Sequence, residues 1–313
     1  MSISFEGMMK IGLLSKSSEN YSNSRILEEA QNLGLDIIHI DYTNCDLILN
    51  NEKPDILYNG QSLSGLDAVI PRVGIYKSIY GMAVLRHFEA MHVYSLNSSL
   101  GIARARDKLR TLQILSKKNL PFPNSAISND SLNASKLLDK VGGTPVIIKL
   151  TEGLQGKGTV LAETKQSAKS IIEAFGLTNT SLILQEFIKE SIGTDVRVFI
   201  LNGKVIGSMI RSSNGEDFRS NLHLGGEAKK VKLTPREREI AVKAAKEFKL
   251  NVAGIDILRS DNGSLILEVN SCPGLEGIEK AMDKNIARLI LEFVVSEVEK
   301  VKSKPSYHKR THL

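Results

Sequence analysis

The stretch "LILEVNSCPG", residues 265–274, ends an apolar run on two polar side chains. Leu265, Ile266 and Leu267 read as sheet interior, and Glu268 and Asn270 follow, separated by Val269. Residues two apart on a strand share a face, so a carboxylate and an amide project side by side. Buried without a partner, that carboxylate would be costly to ionise. The preceding segment "VAGIDILR" carries Asp256 among apolar neighbours, and Asp261-Asn262-Gly263 predicts a hairpin turn between the two. Counting back from that turn sets Asp256 opposite Glu268. Three oxygen donors on one face suit a hard cation such as Mg²⁺, which takes few carboxylates and completes its shell with water and phosphate oxygens. The same set could instead form a polar network closed by backbone groups or by Arg259. Asp256, arriving from the neighbouring strand, favours the cation.

Two further segments point to phosphate. Lys149 closes the apolar strand "PVIIK", where a buried ammonium needs an anion, either a carboxylate or a nucleotide phosphate. The loop "EGLQGKG" that follows places Gly153, Gly156 and Gly158 between two strands, so backbone N–H groups can approach phosphates closely. It is not a P-loop, because the Gly-Lys-Ser/Thr ending is missing and a strand follows. In "RSSNGEDFRSNLHLGGEA", residues 211–228, Arg211, Arg219 and Asn221 stand in a Gly-rich segment. Guanidinium groups match carboxylate and phosphate oxygens in pairs. His223 in that loop reads as structural. Cys272 has no His positioned to activate it and reads as a packing residue.

These residues need strands and helices to hold them. A first α/β unit covers residues 1–97, with strands "MKIGLL", "LDIIHI" and "LDAVIPR", a hairpin at Asn59-Gly60 and a helix over 79–92. The segment before Met9 reads as an extension. A second unit, 98–187, opens on a helix through "SLGIARARDKLRTLQILSKKN" and contains the Gly-rich loop between "PVIIKL" and "TVLAE". A third, 188–301, is built of hairpins, with a helix from Pro235 after Thr234 and a final helix over 286–301. Residues 302–313 read as a basic, disordered tail.

With 313 residues, 42% of them hydrophobic and 24% charged, the chain has room for two or three packed units. No apolar run is long enough to span a membrane and the N-terminus lacks a signal-peptide pattern, so a cytoplasmic protein is expected. Two cysteines make neither a disulfide framework nor a metal spacing. The net charge of +6 sits partly in the tail. With no Trp and 5% aromatics, a base-stacking platform is not indicated, and no direct nucleic-acid binding is expected.

Taken in order, a Lys at a strand end, a Gly-rich loop, "QEF" and "D…EVN" resemble the ATP-grasp superfamily. "IARARDKLRTLQILSKKNLPFP", "GGTPVIIKLTEGLQGKGTVLAE", "DFRSNLHLGGEA" and "VAGIDILRSDNGSLILEVNSCPGLEGIEKA" resemble the RimK-type α-L-glutamate ligases. The resemblance spans roughly residues 9–295. It implies an α/β fold, α+β in its C-terminal part: an ATP-grasp fold preceded by a Rossmann-like pre-ATP-grasp domain. It further implies addition of L-glutamate to the C-terminus of a small-subunit ribosomal protein, with ATP as co-substrate, Mg²⁺ or Mn²⁺ as two ions, and room for a homo-oligomer. By this resemblance Asp256, Glu268 and Asn270 are metal ligands, and Lys108 and Lys149 contact phosphate. Glu186 and Phe187 form the adenine connector, and Asp195 lies near the ribose. Arg219, Ser220 and Asn221 are nucleotide contacts, and Arg211 meets the transferred phosphoryl or acyl group. Relatives often carry a smaller residue at Cys272.

Three other functions compete with this one. The same fold could glutamylate a cofactor or a biosynthetic carrier protein, since acceptor contacts come from loops. A dinucleotide-binding dehydrogenase would need Gly-x-Gly-x-x-Gly after the first strand, and "GLLSKSSENYS" lacks it. A ribosome-binding protein without catalysis would leave Asp256, Glu268 and Asn270 unexplained.

Overall fold

The computed structural model describes residues 9–74, 76–151, 158–176, 181–213, 218 and 226–303. Two compact units emerge, one made of the chain up to Leu100 together with the chain from Gly274 onward, the other of Gly101–Pro273.

The first unit begins with β1 (Lys10–Leu14), α1 (Tyr21–Asn32) and β2 (Asp36–Ile40). β3 (Cys45–Ile48), β4 (Asp55–Tyr58) and β5 (Gln61–Ser62) form a separate antiparallel sheet, and β6 (Ala68–Pro71), α2 (Ser78–Ala90) and β7 (Tyr94–Ser95) follow. The main sheet runs β2-β1-β6-β7, parallel throughout. Burial on both faces explains why β1 and β6 read as near-continuous apolar runs. The Asn59-Gly60 turn between β4 and β5 has positive φ at both residues, as a two-residue hairpin loop requires. β3 is an edge strand that the sequence reading did not identify.

The second unit starts within α3 (Ser99–Arg106), followed by α4 (Lys108–Lys117). The sequence reading treats these as one helix. Asp107 divides them, because its backbone is extended and its carboxylate accepts the N–H of Arg110, capping a new helix. β8 (Ser125–Ser128), α5 (Ser131–Lys136), β9 (Val146–Leu150), β10 (Thr159–Ala162), α6 (Lys165–Gly176) and β11 (Leu182–Glu186) give an antiparallel sheet ordered β10-β9-β11-β8. Val146, Ile148, Leu182 and Leu184 belong to one buried core with residues of α5 and α6, while Lys149 and Gln185 point to the other face.

Next come β12 (Thr194–Leu201), β13 (Lys204–Ser212), β14 (Glu227–Lys230), α7 (Pro235–Glu247), β15 (Val252–Ser260) and β16 (Gly263–Asn270). They form an antiparallel sheet ordered β14-β13-β12-β15-β16. β14, at the end of the Gly-rich segment, is a short lysine-bearing edge strand missed by the periodicity reading. Val196, Val198, Ile255, Ile257 and Ile266 form a core with Ile240, Ala241, Ala244 and Phe248, so α7 covers one face of the sheet. A Thr234–Glu237 capping box starts α7, with Pro235 in its first turn as expected.

α8 (Glu276–Met282) and α9 (Ile286–Lys302) complete the first unit. Glu279 explains their place there. One oxygen accepts the N–H groups of Ile286 and Ala287 at the start of α9, and the other accepts the Tyr21 hydroxyl from α1. The sequence division assigns this segment to residues 188–301. Its packing partner in the fold is α1. The helix reaches Lys302, and the rest of the basic tail lies outside the described residues. Among the described residues, no helix is long and apolar enough to cross a membrane.

Candidate functional site

The face of the five-stranded sheet opposite α7 carries the chemistry. Asp256 pairs with Glu268 across β15 and β16, as expected from counting, and Gly254 pairs with Asn270. A bulge between Asp256 and Ile257 makes this so. Ser260 pairs with Gly263 and Ile257 with Ile266, and an unbroken ladder would then set Asp256 against Leu267. The bulge shifts the register by one residue and turns Glu268 onto the face of Asp256.

Two arginines from the neighbouring strands complete the cluster. Arg197 is the cross-strand partner of Asp256 and donates from Nε to Oδ1 at 2.7 Å and from Nη2 to Oδ2 at 2.6 Å. Arg211 forks onto Asp195, its cross-strand partner, with Nε at 2.7 Å from Oδ1 and Nη2 bonded to Oδ2. Its Nη2 also reaches Asp256 Oδ2 at 2.8 Å, and the Asn270 amide donates to the same oxygen at 3.2 Å. Arg259, the alternative closure considered from sequence, instead pairs with the buried Glu237.

Arg197 was missed by the sequence reading. The signal lay in "DVRV": Asp195 and Arg197 are two apart on an apolar strand, the same spacing that singled out Glu268 and Asn270.

Charge is unevenly shared. Burial acts to raise the Asp256 carboxyl, but the Arg197 and Arg211 guanidiniums overcome it and hold Asp256 below the ordinary range. Glu268 has no hydrogen bond or ion pair among the described residues. It retains solvent access, yet surrounding protein and the Asp256 charge raise its pKa against the pull of Arg197, Lys149 and Arg211. Two repelling carboxylates beside an amide oxygen, one of them without a donor, fit a divalent cation. The acceptor count agrees, because Asp256 Oδ1 takes one donor while Oδ2 takes three.

The polar face of the other sheet shares this field. Lys149, half-buried, donates to Gln185 Oε1 at 2.7 Å, and Gln185 donates to Ser125 Oγ at 3.0 Å. Burial pushes the Lys149 amine down to about 8, with Glu268 opposing and Lys108 contributing. Lys108 is also lowered by burial, against the pull of Glu268, and donates to the Thr151 carbonyl at 3.1 Å. Lys149 is thus held by a neutral amide, not by the carboxylate partner allowed from sequence. Glu186 and Asn124 are tied by two hydrogen bonds, with Phe187 following at the strand exit. Gly158, at φ +73, accepts the Leu150 N–H through its carbonyl. Gly153, Gly156, Arg219, Ser220 and Asn221 lie outside the described residues.

Known proteins give the arrangement a family. Residues 9–102 match the RimK PreATP-grasp domain and residues 105–294 the RimK-like ATP-grasp domain. The protein named "Probable alpha-L-glutamate ligase" in Aliivibrio fischeri (strain MJ11) is 51% identical over 286 residues, 91% of this chain and 95% of that one. "Probable alpha-L-glutamate ligase 2" of Shewanella sp. (strain W3-18-1) is 49% identical over 294 residues, 94% of this chain and 98% of that one. Among solved structures, the ATP-grasp ligase PsnB complexed with minimal precursor superposes with a TM-score of 0.73 at 21% identity, covering 93% of this chain and 99% of that one. That likeness shows the ATP-grasp fold. The chain belongs to the RimK-like ATP-grasp family, with its pre-ATP-grasp domain, and is an ATP-dependent carboxylate–amine ligase.

Proposed function

We propose that the enzyme joins the amino group of L-glutamate to the C-terminal carboxylate of a polypeptide acceptor, and that the acceptor is a small-subunit ribosomal protein. The observation that carries this reading is the single polar face bearing Asp195, Arg197, Arg211, Asp256, Glu268 and Asn270, in the same field as the Lys149 amine. Relatives named as glutamate ligases supply the amino acid, and PsnB complexed with minimal precursor, Mg and ADP supports a nucleotide, a metal and a peptide acceptor on this fold.

A carboxylate resists an amine because oxide is a poor leaving group. Phosphoryl transfer from ATP gives an acyl phosphate, and the glutamate amine then displaces phosphate to leave an amide, ADP and phosphate. Lys149 and Lys108 bind nucleotide phosphates, and Glu186 and Phe187 hold the base. Arg211, released from its carboxylates, takes up charge on the transferred group. Asp256, Glu268 and Asn270 would hold Mg²⁺, which when bound neutralises the phosphate oxygens. The glycines of 153–158 would let a loop close over the acyl phosphate and exclude water.

The test is incubation with labelled glutamate, ATP, Mg²⁺ and an acidic C-terminal peptide. Peptide gaining whole glutamate residues, only with ATP and Mg²⁺ present, is the expected result. Labelling without ATP, or none on any C-terminal carboxylate, rejects the reading.

The Lys149 amine adds a pH prediction. Free protein loses this proton as pH rises through about 8, whereas a bound phosphate favours the ammonium. Above that pH, ATP binding must take up a proton, so affinity should fall by up to about tenfold per pH unit. Lys149→Arg should flatten this dependence, because guanidinium stays charged. Nucleotide titration calorimetry in two buffers of different ionisation enthalpy checks both points, and absence of proton uptake above pH 8 would refute the role.

A further inference from the structure

Asp256 is held by two guanidiniums, and they are not equivalent. Arg211 is already matched by its own fork onto Asp195 and reaches Asp256 with Nη2 alone. Arg197 gives Asp256 both arms, Nε to one oxygen and Nη2 to the other, so its plane fixes the plane of the carboxylate. The pair is directly opposed in the β-ladder and nearly shut off from solvent, with side-chain exposures of 13% and 2%.

The backbone at Gly254 lies close to the pair. Gly254 lies two residues before Asp256 on the same face, and a Cβ there would come within 3.5 Å of Arg197 Nε and 2.9 Å of Pro273 Cβ. A side chain at 254 would clash with Pro273 and meet the Arg197 guanidinium only at ordinary contact distance. The donor count then tells the two carboxylate oxygens apart. Among the described residues, Oδ2 is filled by Arg197, Arg211 and Asn270, while Oδ1 has only Arg197 Nε and keeps one acceptor direction open.

We propose that Arg197 is a positioning residue for the cation: holding both oxygens of Asp256, it orients the carboxylate so that the open direction of Oδ1 serves the ion. Arg211 reaches the same carboxylate with one nitrogen of a guanidinium whose fork lies on Asp195, so it does not set the carboxylate's plane. Arg197 therefore supplies direction. Partners that orient a metal-binding side chain typically matter by about 10–100-fold in metal affinity. The inference rests on Asp256 and Glu268 being cation ligands, and the experiment separates the two claims.

Mn²⁺ binding to the full-length protein with a non-hydrolysable ATP analogue is followed by electron paramagnetic resonance, in wild type, Glu268→Gln, Arg197→Lys and Arg197→Gln. Lysine keeps the charge but cannot make two parallel bonds. Arg197→Lys is expected to raise the Mn²⁺ Kd by about 10–100-fold. Its metal-free nucleotide affinity should stay within about twofold of wild type, and its turnover should recover at high Mg²⁺. Arg197→Gln should weaken Mn²⁺ further. If it fails to fold, the lysine variant carries the test. Weaker Mn²⁺ binding in Glu268→Gln with unchanged binding in Arg197→Lys overturns the positioning role and leaves the cation site standing. Unchanged binding in both overturns the cation site with it. A lowered melting temperature in Arg197→Lys with wild-type Mn²⁺ affinity marks a structural ion pair and also overturns the proposal.

Discussion

Glu268→Gln and Asp256→Asn should each lower Mg²⁺-dependent turnover by on the order of a hundredfold or more, yet move stability in different ways. Asp256 is the anion for the Arg197 fork and for one arm of Arg211, with its carboxylate buried. Replacing it by an amide takes the counter-charge from Arg197, while Arg211 keeps Asp195, a loss of about 3–5 kcal/mol for a broken buried pair. Glu268 has no such partner among the described residues and keeps solvent access, and the surrounding protein and the Asp256 charge raise its pKa. The sign follows from linkage. A carboxyl harder to ionise in the native state than in the unfolded chain costs stability once pH exceeds its unfolded pKa. The neutral amide removes that cost, so Glu268→Gln should unfold at an equal or slightly higher denaturant concentration at neutral pH. Turnover against Mg²⁺ concentration, alongside denaturant midpoints, checks the pair. Near-normal turnover at limiting Mg²⁺ in Glu268→Gln would remove the metal assignment. An Asp256→Asn midpoint equal to wild type would show that the arginine clamp is not structural.

How far the site was legible depends on the range of the rule used. Glu268 beside Asn270 follows from strand period alone, a local rule needing no tertiary information. Asp256 opposite Glu268 needed a turn position, and the count succeeded for a reason it did not contain. Centring the turn on Asn262 makes the two residues equidistant. In the fold, Ser260 pairs with Gly263, and a bulge beyond Ile257 restores the match. Nothing in the local composition announces that bulge.

The arginine clamp required knowledge of which strands are neighbours. Arg197 and Asp256 are far apart in sequence and meet because β12 lies between β13 and β15. Arg259 was the nearer guess for the same reason, being only three residues from Asp256. Three residues along a strand is an odd step, so the side chain lies on the opposite face, where it meets Glu237 at the start of α7. The divided helix at Asp107 shows the reverse case. Its signal was local, an Asp before a fresh turn, but the flanking periodicity on both sides disguised it. The C-terminal helices needed Glu279 and its contacts with α1 before their place could be assigned.

An acceptor peptide blocked as its C-terminal amide should be inert, and this is the largest effect expected of any change to substrate or enzyme. Under the proposed reaction the acceptor's terminal carboxylate attacks the ATP γ-phosphoryl group, and its oxygen leaves with phosphate when the glutamate amine arrives. An amide cannot form that acyl phosphate, so the loss is complete. N-acetylated glutamate should fail as well, because its nitrogen is no longer nucleophilic. A ligase that activated glutamate would behave oppositely, tolerating the amidated acceptor and requiring an amine on it. Each addition also regenerates a terminal carboxylate, so successive glutamates are expected on one free-acid peptide. Arg211 bears on the same point, since a guanidinium freed from Asp195 and Asp256 can meet carboxylate or phosphoryl oxygens in pairs. The measurement is incorporation of labelled glutamate into free-acid and amidated forms of one acidic peptide with ATP and Mg²⁺, read by mass spectrometry. Equal labelling of the two forms would overturn activation of the terminal carboxylate, because the phosphorylated group would then belong to glutamate or to an acidic side chain of the acceptor.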